Sequence, residues 1–173
     1  MLMEIDSFLN KNFGQCSICS LNFYALAYED LEFFLEVRNN VRHNLHNNSE
    51  FSINETQNWF RNSSEQKYVI CQTILGGKKI GYFRFNLIEE DNLQVGLDLH
   101  PLNQGKGLGT SLYLCLLNHW IIPKKIKKLS LRVLSCNKIA VKLYSKVGFK
   151  LISKAEIFRE KEIINDYYME LEL

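Results

Sequence analysis

The chain has 173 residues, of which 46% are hydrophobic and 23% charged, with a net charge of +2 at neutral pH. That length fits a single domain with a core of its own, and the composition is that of a folded globular protein. A charge so near balance argues against nucleic acid as a partner, which calls for a dense basic face, and no apolar run approaches the ~20 residues of a membrane span.

Met1 to Asn12 mixes Glu4 and Asp6 with Leu2, Ile5, Phe8 and Leu9. It lacks the basic front and small-residue cleavage site of a signal peptide, so the cytoplasm is the expected compartment. Cys16-x-x-Cys19 has metal or redox spacing, with His43-x-x-His46 downstream. There is no second Cys pair, and a strand over Ser17 to Tyr24 would put the two thiols on opposite faces, so no metal site is expected. The five cysteines are an odd count spread along the chain, which suits buried thiols in a reducing compartment better than a disulfide framework.

Tyr28 to Asn39 carries Leu31, Phe34 and Leu35 at helical spacing, with acidic residues early, where they favour the helix dipole. The Asn-rich stretch from Asn39 to Asn48 reads as a loop. Ser52-Ile53-Asn54-Glu55 is a capping box that opens a short helix through Trp59 to Arg61. The pattern then turns to strands: Lys67 to Leu75, a Gly76-Gly77 turn, Ile80 to Ile88, an Asp91-Asn92 turn, and Leu93 to Leu99. Gly107 to Ile122 is long and apolar and reads as a mostly buried helix ended by Pro123. A strand over Lys128 to Leu134 follows. Asn137 to Val147 is a helix with Ala140, Leu143, Tyr144 and Val147 on one stripe and Gly148 as its stop. Strands at Phe149 to Ile157 and Ile163 to Leu173 close the chain. With no repeat, linker or low-complexity tract, residues 1–173 form one domain in this reading. The expected architecture is an α/β fold with a mixed, mostly antiparallel sheet of about seven strands and helices on both faces. The helix from Gly107 lets the strand at Lys128 run parallel to that at Leu93.

The segment Leu97-Asp98-Leu99-His100-Pro101-Leu102-Asn103-Gln104-Gly105-Lys106-Gly107-Leu108-Gly109-Thr110 is a strand end, a glycine-rich turn and a helix start. The first amides of a helix lack intrahelical partners, and glycines let a phosphate approach them closely, so this is a candidate anion site with Lys106 adding charge. A Walker loop is excluded because no Gly-Lys-Ser/Thr follows the glycines. A dinucleotide fingerprint would follow the first strand of a βαβ unit, whereas this turn follows an antiparallel meander.

Leu131 to Phe149 reads LRVLSCNKIAVKLYSKVGF. Gln104-x-x-Gly107-x-Gly109 resembles the pyrophosphate loop of the GNAT acetyltransferase superfamily. Asn137-x-x-Ala140-x-x-x-Tyr144-x-x-x-Gly148-Phe149 resembles the strand-helix motif that follows it there. The separation of the two, one helix and one strand, is also similar. The resemblance implies a splayed parallel strand pair and acetyl-CoA as cosubstrate, with no metal. It implies that the backbone of Leu97, Asp98 and Leu99 would bond the pantetheine arm. The amides of Gln104, Gly105, Lys106, Gly107, Leu108, Gly109 and Thr110 would hold the pyrophosphate. Asn137 would touch the pantetheine arm, and Tyr144 would protonate the departing thiolate. Many members carry a glutamate early in the strand before the loop. Here that place is Leu93, which leaves Asp98, His100, Glu90 or no dedicated base.

The basic run Lys124-Lys125-Ile126-Lys127-Lys128 follows the far end of the helix from Gly107, roughly 20 Å from its start at 1.5 Å per residue, and reads as a solvated connection. Acceptor recognition falls to the first two helices and their loop, where Arg38, Asn39, Arg42 and Trp59 are the candidate substrate residues. This part resembles family members that acetylate amino groups of nucleotide-linked deoxy sugars and, more loosely, those that acetylate protein N-termini. The expected partner is a small-molecule amine, with a non-catalytic CoA-binding module as a third reading and the chain a monomer or homodimer.

Overall fold

The computed structural model describes residues 14–16, 20–62, 67–118, 126–159 and 161–173. The Cys16–Cys19 spacing, the end of the Gly107 helix with Pro123, and Lys124-Lys125 lie outside the described residues in whole or in part. One sheet carries eight strands in the order β1-β2-β3-β4-β5-β6-β8-β7. They are β1 (Gly14–Cys16), β2 (Leu21–Ala25), β3 (Lys67–Thr73), β4 (Lys79–Glu89), β5 (Asn92–Leu99), β6 (Lys128–Leu134), β7 (Lys150–Arg159) and β8 (Glu162–Glu172). All neighbours are antiparallel except β5 and β6. The strand beyond the expected seven is β1. Its three residues, Gly-Gln-Cys, are too few to show an alternation in sequence.

Among the described residues four α-helices accompany the sheet: α1 (Leu31–Val41), α2 (Ile53–Asn62), α3 (Leu108–Leu116) and α4 (Lys138–Val147). The first begins three residues later than its acidic start suggests, because Tyr28–Asp30 forms a 3-10 turn. There the buried Asp30 accepts from the Ala27 amide at 3.0 Å and pairs with Lys79 of β4 at 2.6 Å, which ties the turn to the sheet. The capping box forms: Glu55 Oε2 accepts from the Ser52 amide at 2.8 Å, and Ser52 Oγ accepts from the Glu55 amide at 3.3 Å. Both satisfy donors that a helix start leaves open.

Among the described residues two apolar clusters form. Leu112, Tyr113 and Leu116 of α3 and Tyr144 of α4 pack on Phe83, Val95, Leu129 and Leu131 of the sheet. A smaller cluster joins Phe34 and Val37 of α1 to Ile70 and Tyr82. Each such side chain, fully buried, contributes about 1.5–3 kcal/mol, so the two clusters hold the helices on the sheet. Cys115 of α3, buried at 1% exposure, is disulfide-bonded. This corrects the expectation of thiols alone, since a cysteine count does not register which sulfurs a fold brings together.

Where β4 crosses the end of β5, Gly81 stands opposite Leu99. A Cβ at Gly81 would lie 2.4 Å from the Asp98 carbonyl oxygen, which is backbone and cannot swing aside. Gly81→Ala is therefore expected to lower stability by about 1–3 kcal/mol, as overpacking does. Urea unfolding followed by circular dichroism checks this, and a midpoint equal to that of the parent would refute the close approach.

Candidate functional site

The sheet opens at its centre. Strands β5 and β6 pair only at Asn92↔Lys128, Leu93↔Leu129 and Gln94↔Ser130. The joined part is pinned by Ser130 Oγ donating to Asn92 Oδ1 at 2.9 Å, both buried. Beyond it β5 stays bonded to β4 as far as Gly81↔Leu99, while β6 stays bonded to β8 as far as Leu134↔Asp166. The two strands part because each keeps its outer partner, and from Val95 to Leu99 the edge of β5 faces the gap without a strand beside it. An extended ligand arm can bond such an edge as a strand does.

The β5 strand runs into a 3-10 turn at Pro101–Asn103 and then into α3. Gly105 and Gly107 have φ of +73° and +76°, a left-handed backbone that glycine adopts without a side-chain clash. Gln104 Nε2 donates to the Leu99 carbonyl at 2.9 Å and closes the turn onto β5. The Gln104 and Thr110 amides donate to Pro101 and Gly107 carbonyls at 3.1 and 3.2 Å. Between them, the amides of Gly105, Lys106, Gly107, Leu108 and Gly109 have no acceptor among the described residues. Five consecutive free amides at a helix N-terminus, where the dipole is positive, form a cradle for an anion. Gly109 serves packing instead, because a Cβ there would meet Leu143 of α4 at 2.9 Å; its absence lets the two helices close up.

Tyr144 comes from α4, in the larger cluster, with Tyr113 and Phe149 edge-on at 5.7 and 5.8 Å. It also lines a cavity of about 260 Å³ with Gln94, Val95 and Gly96 of β5, Arg84 of β4 and Arg132 of β6. The parting of β5 from β6 lets a side chain from one face reach a cavity walled by both strands. Burial raises the Tyr144 pKa, with the Asp98 charge adding to the rise; Arg84, Tyr113 and the Leu97 backbone oppose it without cancelling it. The hydroxyl therefore holds its proton at neutral pH. Asn137 caps α4, its Oδ1 accepting from the Ala140 amide at 3.1 Å, at the open end of β6.

A larger cavity of about 550 Å³ lies under the loop between α1 and α2. Phe34, Phe51, Trp59, Tyr68 and Tyr82 give it aromatic walls, and Arg38, Arg84, Asp98 and Glu55 give it charge. His46 and Arg84 line both cavities and so stand at their junction. Arg84 pairs with the buried Asp98 at 3.2 Å, and that neighbour holds the guanidinium still more firmly protonated. Gly96 makes the space for it, since a Cβ there would lie 2.8 Å from Arg84 Nη2. Arg38 stacks 4.6 Å over the Phe51 ring and donates from Nη2 to the Asn47 carbonyl at 2.7 Å, while its buried Nη1 has no acceptor among the described residues.

Of the four acceptor-side residues expected from sequence, Arg38 and Trp59 line this cavity and Asn39 and Arg42 do not. Asn39 clamps the Phe51 backbone, donating to its carbonyl at 2.8 Å and accepting from its amide at 3.1 Å. Arg42 pairs with Glu50 at 3.1 Å and donates to the Asn39 carbonyl. Both hold the loop rather than face the cavity. Among the base candidates, Glu90 sits at the β4–β5 turn, the opposite end of β5 from the gap. Both ring nitrogens of His100 are engaged, with Glu36 at 3.0 Å and the Leu102 amide at 3.2 Å. Leu93 is buried in the core at 2% exposure. No local pattern marks His46 as a member of this site, because its partner, Asp166, lies 120 residues away in sequence.

Among the described residues no group of three or more His, Cys, Asp or Glu could hold a metal ion, and no helix is long and apolar enough to cross a membrane. Residues 20–150 match the model of the acetyltransferase (GNAT) domain family. Among solved structures, the chain is similar to spermidine N-acetyltransferase from Vibrio cholerae in complex with CoA and spermine, at 20% identity over 88% of this chain and 95% of that one, with a TM-score of 0.78. It is also similar to yncA from Salmonella typhimurium, solved with its cofactor acetyl-CoA, at 16% identity over 88% and 93% and a TM-score of 0.71. An N-acetyltransferase from Staphylococcus aureus Mu50 aligns at 18% identity over 88% and 98%, also at 0.71. At such identities the likeness is one of fold. No curated protein sequence matches the chain.

Proposed function

Because the chain belongs to the GNAT acetyltransferase family, we propose that it moves an acetyl group from acetyl-CoA to the primary amine of a small molecule, an amino sugar linked to a nucleotide. The free amides of Gly105 to Gly109 hold the pyrophosphate, with Gln104 and Thr110 closing the turn around it and Lys106 beside it. The open edge of Leu97, Asp98 and Leu99 bonds the pantetheine arm, and Asn137 borders it. This leads the thioester into the smaller cavity, where Tyr144 donates a proton to the departing sulfur.

The observation that carries the acceptor reading is Arg38, which lines the larger cavity and whose buried Nη1 has no acceptor among the described residues. The two carboxylates there are committed, Asp98 to Arg84 and Glu55 to the start of α2. An uncompensated guanidinium calls for phosphate or carboxylate on the acceptor, since an unpaired buried donor is costly. Trp59 and the other rings supply flat apolar walls for a base or sugar. A polyamine, such as the substrate of the Vibrio cholerae enzyme, carries only positive charge and would need free carboxylates instead.

The test is incubation with acetyl-CoA and a panel of amino-sugar nucleotides, polyamines, aminoglycosides and peptides, read by mass spectrometry for the gain of one acetyl group. Acetylated amino-sugar nucleotide is the expected product. Acetylated peptide alone would favour a protein N-terminal acetyltransferase, and acetylated polyamine alone would sink the Arg38 argument. CoA binding without turnover of any amine would leave only a CoA-binding module. Within the expected outcome, Arg38→Met should raise the acceptor KM about tenfold or more, the worth of one charged hydrogen bond, with the acetyl-CoA KM unchanged.

A further inference from the structure

We propose that His46 is the general base that takes a proton from the acceptor ammonium, and that Asp166 is the residue that positions it. This rests on the acetyl-transfer reading above. A protonated amine has no lone pair with which to attack a thioester, and the strand position that carries glutamate in many relatives of similar motif is the buried Leu93. His46 Nε2 lies 2.8 Å from Asp166 Oδ1. Asp166, its side chain 1% exposed, also accepts from Arg132 Nε at 2.7 Å and from Arg132 Nη2. A carboxylate in that ion pair can only accept, so His46 carries its hydrogen on Nε2 and its lone pair on Nδ1. Among the described residues Nδ1 has no partner.

The imidazole stands where the two cavities meet, in a loop held on its other side by Arg38 donating to Asn47. It shares the smaller cavity with Tyr144, so the proposed base and acid flank one space. The charged and titratable groups around it there are Asp166 of β8, Arg132 of β6, Arg84 of β4 and Tyr144 of α4. Across the larger cavity are Arg38, Glu55, Asp98, Tyr68 and Tyr82. Two arginines beside the junction are each neutralised by an aspartate, Arg132 by Asp166 and Arg84 by Asp98. The imidazole can therefore gain a positive charge without an unpaired cation beside it in the smaller cavity.

In the reaction the ammonium gives one proton to His46 Nδ1, and the freed lone pair attacks the thioester carbonyl carbon. The C–N bond forms and the C–S bond breaks with its electron pair on sulfur, which takes the Tyr144 proton. The second proton lost by the attacking nitrogen restores Tyr144, and His46 releases its own to solvent.

The experiment follows thiol release from acetyl-CoA against pH, with a nucleoside diphosphate amino sugar and spermidine as acceptor probes. His46→Gln keeps a donor for Asp166 but removes the base, and His43→Gln, at an exposed neighbour, is the control. In the parent, kcat/KM should rise with pH, as it does where a base must be unprotonated to act. His46→Gln should lose that limb and about a hundredfold in kcat at pH 7. Its rate should recover as the amine deprotonates on its own at high pH, and calorimetric CoA affinity should be unchanged. Asp166→Asn should lower kcat about tenfold with CoA affinity unchanged, because an amide can donate as well as accept and no longer fixes the imidazole with its lone pair on Nδ1. If it does not fold, His46→Gln decides alone. A parent that turns over either probe, with His46→Gln showing the same pH profile, overturns this assignment and leaves the acetyl-transfer reading standing. A parent that turns over neither probe nor any amine of the panel overturns both.

Discussion

Tyr144→Phe is expected to lower kcat by about 10²- to 10⁴-fold, the usual contribution of a positioned acid, with calorimetric affinity for acetyl-CoA within twofold of the parent. The ring stays, and with it the edge-on contacts to Tyr113 and Phe149 that fix α4, so the loss reads the hydroxyl alone. The direction of the pKa shift sharpens the test. Burial and then Asp98 raise it above the ordinary tyrosine value, so the protonated, acid-competent form persists to higher pH than an exposed tyrosine allows. Any fall in kcat from loss of this acid should therefore begin at higher pH than an ordinary tyrosine would give. An unchanged kcat where chemistry limits the rate would remove Tyr144 from the reaction.

What the sequence disclosed and what it hid divide along a physical line. The Ser52–Glu55 cap, the stop at Gly148 and the helix stripe through Tyr144 are local, each written in a few consecutive residues, and the structure has all three. The parallel pair is also there, because the helix between β5 and β6 carries the chain back to the end where β5 began. The glycines were legible as a cluster but not in their separate roles. Gly105 and Gly107 bend the backbone, Gly109 brings α3 against α4, and only side-chain packing distinguishes them. In the acceptor loop, type and position did not reveal orientation: Asn39 and Arg42 turn to the loop backbone and Glu50, while Arg38 on the same helix faces the cavity. The His46–Asp166 pair joins residues 120 positions apart, and nothing local marks either one. The pattern gave the frame and the glycine turn at the start of α3; the acceptor end depends on contacts made only once the chain has folded.

The cradle yields the other large effect. Gly107→Leu is expected to weaken CoA binding by about 10²- to 10³-fold, the loss of one or two charge-assisted amide contacts. Two costs contribute, and they can be separated. At φ +76° any side chain strains the backbone, by about 1–3 kcal/mol, whatever its size. Protein atoms do not oppose a Cβ there, since none lies within 4 Å, so the added bulk enters open space beside the turn, which the proposed pyrophosphate site shares. Gly107→Ala carries the same strain with little bulk. Calorimetry should show it binding CoA no more than about tenfold more weakly than the parent, with a thermal midpoint lowered as far as in Gly107→Leu. Gly109→Ala supplies the contrast. Its Cβ meets Leu143 at 2.9 Å, so its main effect should be a lower midpoint through the α3–α4 contact, with CoA affinity less affected than in Gly107→Leu. If Gly107→Leu and Gly107→Ala bind CoA equally well, bulk beside the turn is irrelevant and the pyrophosphate lies elsewhere.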